Sequence, residues 1–187
     1  MYTIQLITFT MLVAVCYGQL PDQTDDAFQQ ECLDLTNKYR NLHHVPDVKI
    51  APKLVKYAKD RCQYISKYNS GHVGLDRRIG ENLFAAGVGS TDPDFTGAMN
   101  TSEDAVTNWY NENQFYDYNT YESIDPEKEV GHFTQLVWKF TTHMGCARCY
   151  GQTGPINYKT TIVCNYTPRG NLVFNGRKTH GQNVFPQ

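Results

Sequence analysis

The stretch from Gly131 to Trp138 combines a reactive side chain with a packing surface. Read as a helix that continues to Phe140, it has one polar and one apolar face. The polar face carries His132, Gln135 and Lys139, and the apolar face carries Phe133, Leu136, Val137 and Phe140. Pro126 and the segment 127–129 predict where this helix begins. A histidine held in the early turns of a helix by apolar neighbours is suited to acid–base or metal chemistry.

Three further helices are predicted upstream of this histidine. Apolar residues recur at steps of four and three in the first helix, which is the spacing of an amphipathic stripe: Phe28, Cys32, Leu35, Tyr39 and Leu42. Pro52 predicts the start of the second helix, whose apolar face is Leu54, Ala58, Cys62 and Ile65. The third is predicted over 102–113, with Val106, Trp109 and Tyr110 facing inward.

Strands are predicted late in the chain. The segments 144–150 and 159–166 are separated by the turn-rich link 151–155, a pattern that indicates a hairpin. The segment 171–174 adds a short strand. Because each apolar helix face must be covered by a sheet or by another helix, helices ahead of an antiparallel hairpin indicate an α+β layer fold.

Four motifs occur in one order along the chain: Asn37-Lys38-Tyr39-Arg40, Gly80-Glu81-Asn82-Leu83, the stretch 131–141 and the stretch 164–172. Together they resemble the signature of the CAP superfamily, which includes cysteine-rich secretory proteins, antigen 5 and plant pathogenesis-related proteins. The chain looks like a venom allergen-like member of this group. The resemblance implies a three-layer α-β-α sandwich.

The same resemblance implies that four residues line one cleft: His72, Glu81, Glu112 and His132. Two imidazoles and two carboxylates could hold a divalent cation, zinc or magnesium, or could act as an acid–base pair. Composition alone does not choose between these two chemistries. Outside the motif context, each residue would be interpreted as an ordinary hydrogen-bonded polar group.

The sequence offers no activated nucleophile beside this cleft. Ser66 and Ser70 lie near His72 in sequence, but no Gly-x-Ser-x-Gly signature accompanies them. We therefore expect metal binding without turnover, so that the protein is not an enzyme. A metal-dependent hydrolase using the histidine and glutamate cleft is the alternative.

Aromatic residues follow Glu112 closely. Tyr110, Phe115 and Tyr118 have a spacing that resembles the loop associated with sterol binding in CAP proteins, although core packing also explains such rings. The family also binds fatty acids between helices, and here the first helix and the helix at Ser102 are the candidates. A pure protein-recognition module presenting the segment 114–125 to an extracellular partner is a third interpretation.

The N-terminal segment predicts secretion. Residues 4–17 are almost wholly apolar or small, too few to span a membrane, and end in a cleavage-like Gly18, so 1–18 is interpreted as a signal peptide and 19–187 as one domain. No other segment predicts a transmembrane anchor. The net charge of −2, without a long basic run, argues against nucleic acid as a partner. Asn100-Thr101-Ser102 is a sequon for glycosylation of Asn100.

An odd number of cysteines remains once Cys16 leaves with the signal peptide: Cys32, Cys62, Cys146, Cys149 and Cys164. The resemblance implies disulfides between Cys146 and Cys164 and between Cys62 and Cys149. Cys146-x-x-Cys149 also fits a redox or zinc half-site, but no further soft ligands stand at suitable spacing. Cys32 is left over, and its place on the apolar stripe predicts burial, whereas the odd count favours a link between two chains.

These observations lead to one functional expectation. The chain is predicted to be a secreted CAP-domain protein that binds hydrophobic small molecules, either sterols or fatty acids, and that acts in extracellular interactions.

Overall fold

The computed structural model describes residues 18–89, 98–154 and 157–187. The predicted signal peptide lies outside the described residues except for Gly18. The helices are α1 (Asp26–Leu42), α2 (Pro52–Tyr68), α3 (Ser102–Asn111) and α4 (Gly131–Leu136), with 3-10 turns at Glu112–Phe115 and His180–Gln182. The strands are β1 (Lys49–Ile50), β2 (Gly80–Gly89), β3 (Tyr116–Asp117), β4 (Glu122–Ser123), β5 (His143–Gly154), β6 (Asn157–Thr167), β7 (Val173–Phe174) and β8 (Arg177–Lys178).

A four-stranded sheet in the order β1-β5-β6-β2 forms the central layer. The predicted hairpin is β5 and β6, which pair antiparallel with Cys146 opposite Cys164. The predicted link 151–155 was wrong in extent, because residues 151–154 continue β5 and pair with β6. The strand β2 pairs antiparallel with β6 over its whole length, and β1 runs parallel to β5. The two small pairs β3-β4 and β7-β8 lie outside this sheet.

Period-two alternation along β5 and β6 divides the core between the two faces of the sheet. Met144 and Cys146 join one cluster with residues of α1, α3 and α4, whereas Ala147 and Cys149 join a second cluster with Ala58, Cys62 and Ile65 of α2. This arrangement confirms the predicted α-β-α layering. Gly145 permits the close contact on the α2 side, because a Cβ there would lie 2.3 Å from the Val55 nitrogen.

Capping side chains and a proline set the starts of the first three helices. The carboxylate of Asp25 accepts a hydrogen bond from the Phe28 nitrogen at 2.7 Å and caps α1. Pro52 is the first residue of α2, as predicted. Thr101 and Asp104 form a capping box at the start of α3, which ends at Asn111 rather than at the predicted Asn113.

The prediction for the helix that carries His132 was wrong at both ends. Residues 126–129 form turns and irregular backbone, α4 begins only at Gly131, and it ends at Leu136. Lys139 and Phe140 consequently lie beyond the helix and are exposed. Gln135 was assigned to the polar face, but it is buried and its side chain accepts a hydrogen bond from the Gly170 nitrogen at 2.7 Å. Leu42, predicted on the buried stripe of α1, is exposed.

Both disulfides implied by the resemblance are present, Cys62 with Cys149 and Cys146 with Cys164. The Cys146-x-x-Cys149 pair is neither a redox pair nor a zinc half-site, because residues three apart on a strand point to opposite faces. Cys32 is the one free cysteine of the described residues and is buried. Its sulfur and those of Cys146 and Cys164 all lie within 4.8 Å of one another.

Burial raises the pKa of the Cys32 thiol, since the thiolate would lose its hydration. We expect this thiol to react with a disulfide reagent on the order of 1,000-fold more slowly in the native protein than in denaturant, because labelling requires opening of the core. Absorbance at the released thiolate band measures both rates, and Cys32→Ser gives the background. A reductant-sensitive dimer that Cys32→Ser abolishes would show instead that Cys32 links two chains.

Candidate functional site

The candidate site consists of two histidine–glutamate pairs. Glu81, at the start of β2, is the buried carboxylate of the first pair. The Arg61 side chain on α2 makes a bidentate ion pair with it, from Nε to Oε2 and from Nη2 to Oε1, both at 2.8 Å. Asn165, which faces Glu81 across the β2-β6 ladder, donates from Nδ2 to Oε2 at 3.1 Å. The carboxylate is thus held from two directions.

His72 contacts the same carboxylate from the outside. Its Nδ1 lies 2.9 Å from Oε1 of Glu81, while the side chain remains 54% exposed. The turn that carries His72 is fixed by Arg61, whose guanidinium also donates to the carbonyls of Gly71 and Val73 at 2.9 and 2.8 Å. One arginine therefore positions both the glutamate and the histidine.

The pKa of Glu81 follows from these contacts. Burial alone would raise the pKa of this carboxyl, but hydrogen bonds from Arg61, His72 and Asn165 outweigh burial and leave the pKa below its usual value. The hydrogen bond to Glu81 correspondingly raises the pKa of Arg61. Glu81 is ionised at neutral pH, and its lone pairs are occupied.

Glu112 and His132 form the second half. The Nδ1 of His132 lies 2.6 Å from Oε1 of Glu112, and Oε2 accepts hydrogen bonds from the backbone nitrogens of His132 and Phe133 at 2.9 and 3.0 Å. The carboxylate therefore accepts hydrogen bonds from N–H groups in the first turn of α4 that have no partner within the helix. This cap explains why the helix begins at Gly131. The ring of His132 lies nearly parallel to that of Trp109, with 6.3 Å between centroids.

The two pairs lie on adjoining elements. Asn82, the neighbour of Glu81 on β2, donates from Nδ2 to the carbonyl oxygen of His132 at 3.0 Å. Among the described residues, one cluster of three potential metal ligands contains no disulfide-bonded cysteine. It consists of Glu112, Glu129 and His132, whose ligand atoms lie within 4.8 Å of one another. The structure thus arranges the four expected residues as two histidine–carboxylate pairs.

This arrangement suits metal binding through the histidines. A carboxylate on Nδ1 orients an imidazole and leaves Nε2 for a cation, which is how ligating histidines are commonly held. Glu81 and Glu112 act here as the orienting partners, because their oxygens already accept the hydrogen bonds described above. Neither serine hydroxyl is hydrogen-bonded to His72: that of Ser66 donates to the Gln63 carbonyl at 2.9 Å, and that of Ser70 has no hydrogen-bond partner among the described residues.

Three residues that shape the site were missed from the sequence: Arg61, Asn165 and Glu129. The available signal for Arg61 was a basic residue beside Cys62 on the inner face of α2, because a buried arginine requires a partner. Asn165 follows Cys164 in the motif at 164–172, but only the sheet register shows that it lies opposite Glu81.

The aromatic segment places its rings in different surroundings. Tyr110 stacks on Tyr39, with 3.8 Å between centroids, and its hydroxyl lies 3.1 Å from Nε2 of His43. Tyr118 packs edge-on against the buried Tyr116. Phe115 lines a shallow polar groove of about 230 Å³. All three residues are partly exposed.

A second groove lies between α1 and the start of α3, where the resemblance implied a fatty-acid site. Its volume is about 370 Å³, and it is lined by Glu31, Asp34, Leu35, Thr101, Ser102 and Glu103. Three carboxylates there would repel the carboxylate of a fatty acid, so this groove is a poor site for such a ligand.

The structure also bears on the predicted sequon at Asn100 and on the prediction about a transmembrane anchor. Asn100 is partly exposed, and the next residue, Thr101, caps α3. Across the described ranges, every helix is too short or too polar to cross a bilayer.

Similarity to known proteins agrees with the fold and the motifs. A family model described as the cysteine-rich secretory protein family, CAP, matches residues 33–166. "Repressed by EFG1 protein 1" of Candida albicans is 35% identical over 169 residues, which is 87% of this chain and 55% of that protein. "Secreted protein PRY1" of the same organism is 33% identical over 170 residues, which is 88% of this chain and 34% of that protein. The chain therefore spans about half or less of the length of these relatives.

The fold also has a solved counterpart. Venom allergen-like protein 4 of Schistosoma mansoni superposes with a TM-score of 0.56 at 23% identity, covering 78% of this chain and 90% of that chain. At this identity the likeness shows a shared fold.

The lowered pKa of Glu81 gives a stability that depends on pH with a defined sign. The carboxylate stabilises the fold above its unfolded-state pKa, about 4.3 for glutamate, and this contribution is lost as the pH falls through the native pKa. Glu81→Gln should therefore lower the free energy of unfolding by about 3 kcal/mol at neutral pH, since it breaks a buried ion pair, and by much less in acid.

Urea denaturation of both proteins from neutral to acidic pH measures this difference. Glu127→Gln, an exposed change without a side-chain partner, is the control and should show no such trend. A deficit for Glu81→Gln that stays constant into acid would contradict the assignment.

Proposed function

We propose that this chain, which belongs to the cysteine-rich secretory protein (CAP) family, is a secreted binding protein for hydrophobic small molecules of the sterol and fatty-acid type. The segment 110–118 is its ligand contact. The protein acts outside the cell, where it can meet lipid and protein partners.

The partial exposure of the aromatic segment carries this proposal. Trp109, just before this segment, and Tyr116 within it are buried, whereas Tyr110, Phe115 and Tyr118 are partly exposed. Exposed aromatic faces next to polar groups offer apolar contact to a flat ligand and keep the rim of the site hydrated. The polar rim here includes Asn111 and Gln114.

Binding without turnover is supported by the state of the carboxylates. Glu81 accepts hydrogen bonds from Arg61, His72 and Asn165, and Glu112 accepts three from His132 and Phe133. A general base needs an oxygen that is free to take a proton, and the oxygens of both carboxylates already accept hydrogen bonds. The lowered pKa of Glu81 also makes that carboxylate a weaker base. The geometry therefore favours a binding site over a hydrolase.

Secretion is supported by the two disulfides, which persist in oxidising compartments. The related protein named as secreted is in keeping with this location.

Removal of two rings tests the lipid site. Phe115→Ala/Tyr118→Ala should weaken sterol affinity roughly tenfold or more, because each lost ring removes on the order of 1 kcal/mol of apolar contact. Binding of radiolabelled cholesterol by the purified protein measures this loss. Tyr68→Ala removes an exposed ring from α2 and should leave affinity unchanged; equal sterol affinity in the double variant and the wild type would refute the site.

The histidine pairs support a second property, binding of a divalent cation such as zinc or magnesium. His72 and His132 each present a carboxylate-held Nδ1, and the cation would be bound through Nε2 with water completing its coordination. Glu81 and Glu112 would act on the cation through these histidines or through water.

Calorimetric titration with zinc should show one site in the wild type and its loss in His72→Ala/His132→Ala, since the imidazoles are the proposed ligands. The control His44→Asn/His143→Ala changes two exposed histidines, with asparagine at position 44 because φ there is +55°. A zinc site that survives in the His72/His132 variant would exclude these residues as ligands.

A further inference from the structure

Charge is distributed unevenly along this chain. All 19 acidic residues precede Gly131, whereas six of the 17 basic residues follow it. The C-terminal part is therefore purely cationic in its side chains, although the whole chain has a net charge of −2. A surface built from that part carries only positive side-chain charge, which attracts anions.

The same part of the chain exposes a cluster of large apolar side chains, here called the hairpin surface: Phe140, Leu172, Val173 and Phe174. Phe174 is 71% exposed, and Phe140 and Val173 are each 57% exposed. With Trp138 and Pro168 they line a groove of about 320 Å³. Contiguous exposed apolar surface of this kind marks an interaction site in a soluble domain.

The β7-β8 hairpin presents this surface outward. Its two-residue turn, Asn175 and Gly176, has φ values of +49° and +75°, the left-handed conformations that a tight hairpin turn requires. Phe174 lies opposite Arg177 in the register. Because directly paired residues share one face of a ribbon, the most exposed ring and a cation lie side by side.

The cations around the hairpin surface have few acidic partners. Arg169 and Arg177 are exposed, and neither forms an ion pair in the described part of the chain. Arg169 lines the groove of about 320 Å³, and Arg177 and Lys178 line a second groove beside Phe174, with no carboxylate in either lining. Lys178 alone is paired, with Glu122.

We propose that the hairpin surface docks this protein onto a membrane that contains anionic phospholipid. Phe174, Val173 and Phe140 enter the interface between headgroups and acyl chains, and Arg169 and Arg177 contact the phosphates. Apolar side chains that insert, together with cations that bind anionic headgroups, are the two components of interfacial binding.

A second copy of the chain fits this surface less well. A twofold contact places the same patch on both partners, so Arg169 and Arg177 of one copy would approach those of the other without carboxylates to neutralise them. None of Tyr110, Phe115 and Tyr118 lines either groove. The proposal is therefore independent of the sterol site.

Cosedimentation with sterol-free vesicles tests the docking surface. The wild type should partition onto vesicles of phosphatidylcholine mixed with phosphatidylglycerol, and only weakly onto phosphatidylcholine alone. Arg169→Glu/Arg177→Glu should reduce partitioning at least roughly 25-fold, because each basic residue near an anionic surface contributes about fivefold. Val173→Ser/Phe174→Ser should also abolish most of the binding, and high salt should weaken it in the wild type.

Matched controls come from the α2 side of the molecule. Lys53→Glu/Arg77→Glu makes the same charge change at exposed positions. Tyr68→Ser/Val73→Ser removes an aromatic and an aliphatic side chain that are 57% and 67% exposed. Both controls should bind as the wild type does.

Three results would overturn the proposal: equal partitioning onto neutral and anionic vesicles, an equal loss of binding in the controls, or no vesicle binding by the wild type. A dimer that Val173→Ser/Phe174→Ser dissociates in analytical ultracentrifugation, without vesicle binding, would assign the hairpin surface to a second copy instead.

Discussion

A buried arginine without a carboxylate hydrogen-bond partner ties the first helix to the end of α4. The side chain of Arg40 on α1 is fully buried, and its guanidinium donates at 2.8 to 3.1 Å to four carbonyl oxygens, those of Pro46, Leu136, Trp138 and Thr141. Burial lowers the pKa of Arg40 to about 10, so the group is still charged at neutral pH. Because a buried charge without partners costs several kcal/mol, these carbonyls must converge on it. That requirement joins α1 to the end of α4, and therefore to His132.

Arg61 is also a buried arginine that needs partners for its charge, but its partners are different. Arg40 donates its hydrogen bonds to carbonyl oxygens, whereas Arg61 pairs with the Glu81 carboxylate and uses its remaining N–H groups on the turn that carries His72. Arg61 thus fixes the turn that carries His72, whereas Arg40 fixes the far end of the helix that carries His132. The histidines keep some exposure because their supports, and not the rings themselves, occupy the core.

The two disulfides lie on opposite faces of the sheet. Cys146 and Cys164 face each other across the hairpin on the side of α1 and α3, where Cys32 lies beside them, and Cys149 joins β5 to α2 on the other side. The chemistry is kept apart from this cross-linked centre. The histidine pairs lie where β2 meets α2 and α4, the aromatic segment follows α3, and the hairpin surface is formed by the C-terminal part of the chain.

Local spacing in the sequence determined the elements whose signals lie within a few residues. The stripe of α1 and the proline of α2 each specify their element through neighbouring side chains. The turn-rich segment 151–155 predicted that two strands form a hairpin, although residues 151–154 themselves continue β5. The family resemblance pointed to His72, Glu81, Glu112 and His132, and it implied both cysteine pairs. Tertiary structure decided what depends on distant residues. The cap on α4 comes from Glu112, 20 residues away, and the partners of Glu81 come from Arg61 and Asn165, 20 and 84 residues away. The start of α4, the environment of Gln135 and the state of Glu81 follow from these contacts, because a helix end or a buried charge is satisfied by whichever group the fold brings to it.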